Sequence, residues 1–238
     1  MCGRFTQLYL REEVLDIFNI SQSELILEPR YNICPSQLVP VILENKGLFI
    51  LKMSEWGFIP FWAKKPHPII NARAENVLAK PTFRESFRKR RCLIPSSGFF
   101  EWALEEGQKR PYFIRLKNSI PFSFAGLWNN WTSSEGNIRH TFTILTVTAN
   151  SFMQKIHHRM PVILSPSSGE KWLKSSLIEN FSQEIIQTPL AERMEAWRVS
   201  KRINSPSFEN QDCIKRLQPF ELKLENFYQP SKQPSLFD

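Results

Sequence analysis

Short apolar or alternating runs recur along this chain and constrain its fold more than any other feature. They fall at 38–43 (LVPVIL), 48–53 (LFILKM), 91–94 (RCLI), 111–116 (PYFIRL), 122–127 (FSFAGL), 138–148 (IRHTFTILTVT) and 161–164 (PVIL). Runs of this length rich in Val, Ile, Phe and Thr read as strands. Stretches such as KNS at 117–119 and SSEGN at 133–137 break them as turns. Helical spacing is scarcer. Val14, Leu15 and Phe18 place a first helix within 11–20, and further helical pieces are expected at 82–89 (TFRESFRK), 151–155, 167–175 after Pro166, and 188–197. The expectation is an α+β protein, a single domain with a mixed, barrel-like β-sheet core and peripheral helices.

The chain's 238 residues, 42% of them hydrophobic, suffice for one large core. From about residue 226 the composition turns to Pro, Ser and Gln (FYQPSKQPSLFD), so the domain is placed at 1–225 and a flexible tail at 226–238. No apolar run approaches the roughly 20 residues of a membrane span, and Arg11, Glu12 and Glu13 interrupt any secretory pattern at the start. A cytoplasmic location is therefore expected, on the nucleoid if the source is bacterial, without membrane contact and as a monomer. Cys2, Cys34, Cys92 and Cys213 form no C-x-x-C pair, which argues against a metal site and a disulfide framework. Only eight glycines are present, with no G-x-G-x-x-G and no phosphate-binding loop, so no nucleotide cofactor is expected. The net charge of +8 suits a protein that meets a polyanion.

Cys2 is the residue with the most unusual chemical options. With Met1 removed it carries a free amine and a thiol on adjacent carbons. Such a 1,2-aminothiol condenses with an aldehyde to an imine, and the thiol then closes a thiazolidine ring. The α-amine, with a pKa of about 7.7–8.0, is roughly one-tenth neutral at pH 7. Position alone does not make the residue reactive, and an incidental cysteine remains open here.

Other segments carry a resemblance: PIINARAE at 68–75, IPSSGFFEW at 94–102 and IHHRMPVIL at 156–164, together with MCGRF at the start, RYNICPSQ at 30–37 and WGFIPFW at 56–62. In this order they resemble the SRAP family, the SOS-response-associated peptidases also described as abasic-site processing proteins. The resemblance implies an abasic-site sensor that binds single-stranded DNA and protects the lesion in the DNA damage response. Its covalent protein–DNA linkage is a thiazolidine between Cys2 and the ring-opened sugar. This is lyase-like chemistry, with autoproteolytic removal of Met1 as an accompanying hydrolase activity.

The same resemblance assigns Cys2 as nucleophile, Asn71 as the group holding the N-terminal amine and substrate, Glu101 as proton-transferring carboxyl and His157 as the acid that helps open the sugar. The apolar neighbours Phe99, Phe100 and Trp102 would favour a neutral Glu101 by desolvation. Arg4, Arg73 and Arg159 are implied phosphate contacts, Asn32 a further DNA contact and Trp62 a base-stacking ring, whereas Trp56 and Phe58 read as core. The run Arg88–Arg91 reads mainly as a solvated helix end. Segment 199–217 departs from the family pattern through an insertion-like SPSFENQD.

In the tail, Gln233, Leu236 and Phe237 resemble the peptide by which bacterial replication proteins dock on the sliding clamp. Three other readings stay open. A glutamine amidotransferase also begins Met-Cys-Gly, but needs an Asn-Gly element that this chain lacks. The others are a peptidase acting only on its own Met1 and a non-covalent single-stranded-DNA-binding module.

Overall fold

Strand after strand forms where the sequence alternates, and the strands close on themselves. A computed structural model describes residues 2–20, 23–174 and 191–221. Thirteen strands are present among them: β1 (Arg4–Gln7), β2 (Arg30–Ile33), β3 (Leu38–Asn45), β4 (Leu48–Trp56), β5 (Asn71–Arg73), β6 (Arg91–Ser96), β7 (Gly98–Glu105), β8 (Gln108–Leu116), β9 (Phe122–Thr132), β10 (Ile138–Thr148), β11 (Arg159–Pro161), β12 (Ile163–Leu164) and β13 (Met194–Arg198). At the margins of the described residues lie the α-helices α1 (Arg11–Ile17), α2 (Pro81–Lys89) and α3 (Pro166–Lys174). Pro81 and Pro166 open the last two, as suits a residue without an amide hydrogen at a helix start.

Strands β10, β4, β3, β6 and β9 pair in that order, and β9 pairs back onto β10, so five strands make a closed barrel. The β10–β4 pair is parallel; the other four are antiparallel. Closure leaves these strands no open edge, the liability of an isolated sheet. A second sheet runs β13-β8-β7-β1-β2. It packs on the barrel through aromatic rings: Phe5 meets Trp56 at 5.2 Å and Phe124 at 5.7 Å, and Phe99 meets Phe124 at 6.0 Å.

One stretch of chain belongs to both sheets. β6 lines the barrel, Ser97 breaks the pairing, and β7 continues into the second sheet. Gly98 permits the crossing, because a Cβ there would lie 2.3 Å from Phe113 Cζ. The far face of the second sheet is covered by residues 199–217, with Val199, Ile203, Phe208 and Cys213 packed on Phe100 and Phe113. Glu209 in this strap accepts from the amides of Tyr31 and Asn32, capping the β2 edge.

The expected fold class holds, with two differences in detail. Residues 194–198 form β13, not the end of a helix, because pairing from Met194↔Leu116 to Arg198↔Tyr112 overrides the helix-forming composition of AERMEAWR. Met153–Lys155 is one 3-10 turn. No helix among the described residues is long and apolar enough to cross a membrane. The tail at 226–238, with Gln233, Leu236 and Phe237, lies outside the described residues.

Candidate active site

Two walls meet at Cys2. The first is the second sheet. Cys2 precedes β1 and is fully buried, its Sγ 3.7 Å from the Arg4 carbonyl oxygen. Pairing of Arg4 with Phe100 and Phe5 with Phe99, continued by one residue, sets Glu101 opposite Gly3 and beside Cys2. Glu101 is itself 5% exposed and accepts from the Trp102 amide at 3.2 Å. Burial pushes the Cys2 thiol far above the ordinary thiol range, and the negative charge of Glu101 adds to the rise. The sulfur is therefore held as a neutral thiol in this state.

The second wall is the barrel around β10. β5 pairs with β10 from Asn71↔Ile144 to Arg73↔Thr146, and β11 pairs with it from Pro161↔Thr146 to Arg159↔Thr148. Asn71 donates from Nδ2 to the Cys2 carbonyl oxygen at 2.9 Å, tying the N-terminal segment to the barrel. Its Oδ1 is buried without a hydrogen-bond partner. A buried amide oxygen left open is costly, so this atom is poised to accept a hydrogen bond. His157 lies just before β11, its Nδ1 3.0 Å from the Arg159 amide nitrogen and 3.1 Å from the Arg159 carbonyl oxygen. His158 stacks on it at 4.3 Å, and the His157 charge pushes the His158 pKa down.

The arginines assigned from sequence are employed differently. Arg73 is exposed, and its charge reaches His158. Arg4 donates to Asn32 Oδ1 at 2.8 Å and to the Asn204 carbonyl at 2.7 Å. Asn32 is fully buried and donates to the carbonyls of Ile203, Ser205 and Phe208, so it anchors the strap. Arg159 is 8% exposed and forks onto Glu75, with Nη1–Oε1 at 2.6 Å and Nη2–Oε2 at 2.9 Å. Its Nη2 also donates to the Thr146 carbonyl at 2.6 Å. Neither Glu75 nor Thr146 stood out in the sequence; the only signal for Glu75 was its place at the end of NARAE.

Aromatic exposure divides as expected within WGFIPFW. Trp56 and Phe58 are core, whereas Phe61 and Trp62 project at 56% and 57% exposure. Their loop is fastened beneath by Asn129 Nδ2 to the Ile59 carbonyl at 2.9 Å and Trp131 Nε1 to the Ala63 carbonyl at 2.7 Å. In the basic run, Arg91 satisfies the carbonyls of Trp172 and Phe87, and Arg90 pairs with Glu85. Among the described residues no group of three or more His, Cys, Asp or Glu could hold a metal ion.

The profile of the SOS response associated peptidase (SRAP) family matches residues 1–206. The chain belongs to the SRAP family. Its relatives include the abasic site processing protein YoqW of Bacillus subtilis, 39% identical over 221 residues that cover 90% of this chain and 99% of the relative. The abasic site processing protein YedK of Escherichia coli is 30% identical over 190 residues, covering 78% and 85%. A crystal structure of a protein from Bacteroides thetaiotaomicron superposes with a TM-score of 0.82 at 29% identity, covering 91% of this chain and all (100%) of that one. The SRAP match spans both walls of the site and the crossing strand between them.

Proposed function

We propose that this SRAP protein processes abasic sites in single-stranded DNA by joining Cys2, freed by removal of Met1, to the sugar aldehyde. The observation that carries this reading is the convergence on Cys2. Asn71 grips its carbonyl at 2.9 Å and keeps an unpaired buried oxygen, while Glu101 bears on its thiol from the opposite wall. The amine adds to C1′ of the ring-opened sugar, and loss of one water gives the imine. The neutral thiol then adds across the carbon–nitrogen double bond, its proton passing to nitrogen, and the thiazolidine closes. No oxidant, reductant or metal enters the balance.

Within this scheme Asn71 Oδ1 accepts from the freed amine and directs its lone pair toward the aldehyde. Glu101 relays protons between sulfur, nitrogen and the departing water, and His157 supplies the acid that opens the sugar. Arg73 and Trp62, both exposed, are the side chains available to a phosphate and a neighbouring base. Met1 removal exposes the aminothiol, and self-cleavage is one route to it.

Intact-mass measurement of the protein mixed with a single-stranded oligonucleotide carrying one abasic site tests the proposal. The expected species is protein without Met1 plus oligonucleotide minus one water, surviving denaturation. Recovery of unmodified protein alone, or of a chain that keeps Met1, would sink it.

A further inference from the structure

β10 separates two parts of the site that share no strand pairing. On one side lies β5 with Asn71, followed by the 3-10 turn Ala74–Asn76 that carries Glu75. On the other lies β11, entered through His157. The Arg159 side chain crosses over β10 between them. It rests on Thr146, through the carbonyl at 2.6 Å and Oγ1 at 3.2 Å, and ends in the two-point contact with Glu75.

This pair is unlike a surface salt bridge. The Arg159 side chain is 9% exposed against 45% for Glu75, so the cation is nearly desolvated and depends on its partner. The Arg159 hydrogen bonds hold the Glu75 carboxyl below the usual carboxylate range. A fork-to-fork contact also fixes orientation, which a point charge would not.

The main chain of Arg159 does the remaining work. The Thr148↔Arg159 pair is flanked by the Ala149 amide donating to the His158 carbonyl at 3.0 Å, so the Arg159 amide and carbonyl point away from β10. Both meet His157 Nδ1. A single ring nitrogen accepts from the amide in one tautomer and donates to the carbonyl in the other, so the Arg159 main chain holds the ring at Nδ1 and its placement decides between the two.

We infer that Glu75 is a positioning residue, which acts through Arg159 to clamp the turn that follows the Asn71-bearing strand β5 against the His157 loop and so sets the direction of the imidazole. The inference rests on the crosslinking role proposed above.

The test uses the full-length protein with Glu75→Gln, which keeps the shape and removes the charge, and Glu75→Asp, which keeps the charge and withdraws it by one methylene. Crosslinking rate is measured at saturating abasic oligonucleotide, and affinity with the same strand carrying an unreactive tetrahydrofuran analogue. With Glu75→Gln the saturated rate is expected to fall about tenfold, less than the roughly hundredfold or more that a lost acid–base group costs, because the imidazole is misdirected and not removed. Affinity should stay within about twofold, and Glu75→Asp should give an intermediate rate. Nitrogen-15 NMR of the histidine rings should show one His157 tautomer in the parent and a mixture in Glu75→Gln. An unchanged rate with tighter analogue binding would overturn the inference, since Arg159 would then have been released to grip phosphate. An unchanged His157 ring spectrum would also overturn it. If the parent protein itself forms no crosslink, the proposed function falls, and the ring spectrum alone still decides whether Glu75 orients His157.

Discussion

The two walls of the site hold their groups by opposite means. On the second-sheet wall, Cys2 is fully buried in one apolar cluster with Phe5 and Phe99, where exclusion of water raises its thiol, and Glu101 beside it is 5% exposed. On the barrel wall, Asn71, His157, Arg159 and Glu75 are fixed by named hydrogen bonds, and Asn71 and His157 are only half-buried. The difference separates two tasks. A desolvated wall tunes whether a group carries its proton, whereas a hydrogen-bonded wall tunes where it points. Substitutions on the first should change chemistry with little effect on DNA affinity.

Cys2→Ala gives the largest effect. The denaturation-resistant product should vanish while salt-sensitive binding of single-stranded DNA largely remains, as read by denaturing gel and by titration at two salt concentrations. Loss of both together would merge the two walls into one binding surface. Glu101→Gln keeps the volume and removes the proton exchange. Formation and reversal of the linkage should both slow by about a hundredfold, checked by quenched time courses in each direction. Equal slowing is required because one group serves both directions; a change confined to one would place Glu101 outside the proton relay.

The smallest effect concerns pH and stability. Burial raises the Cys2 thiol, so the folded chain holds that proton where the unfolded chain releases it. The resulting stability is complete below the unfolded thiol pKa of about 8.5 and is lost progressively as pH rises beyond it toward the folded value. Thermal stability should therefore fall between pH 8.5 and 10, with Cys2 accounting for roughly 1–2 kcal/mol of the loss at the upper limit. Cys92, buried and raised by the same cause, adds in the same direction. Cys2→Ala should flatten the curve in part, and parallel curves for the two proteins would show that desolvation does not govern this wall.

Legibility in the sequence followed the length of each pattern. The long alternation at 138–148 and the buried run at 38–43 appear as β10 and β3, since a face of several side chains leaves a period. β1, β2 and β5, of four, four and three residues, are too short to show one and take their pairing from neighbours. β7 was visible as the motif FFEW rather than as a strand, because both its faces are covered and alternation disappears. At the candidate site, motif order singled out Cys2, Asn71 and Glu101, which the structure brings together, and His157 at the entry to β11. It could not disclose that Arg159 turns inward to Glu75 or that Asn32 serves the strap, because a guanidinium or an amide reads alike whether it faces DNA or the protein's own carbonyls.

Closure of the barrel has a bearing on how a damaged strand gains access. A ring of five mutually paired strands has no seam, and the strand running from β6 into β7 rivets the second sheet to it, so the walls cannot swing apart like two domains on a hinge. Cys2 is nevertheless covered completely. In the proposed reaction the opening for a sugar therefore belongs at the start of the chain, where Met1 leaves and Asn71 still holds Cys2, with the surrounding framework as a fixed socket.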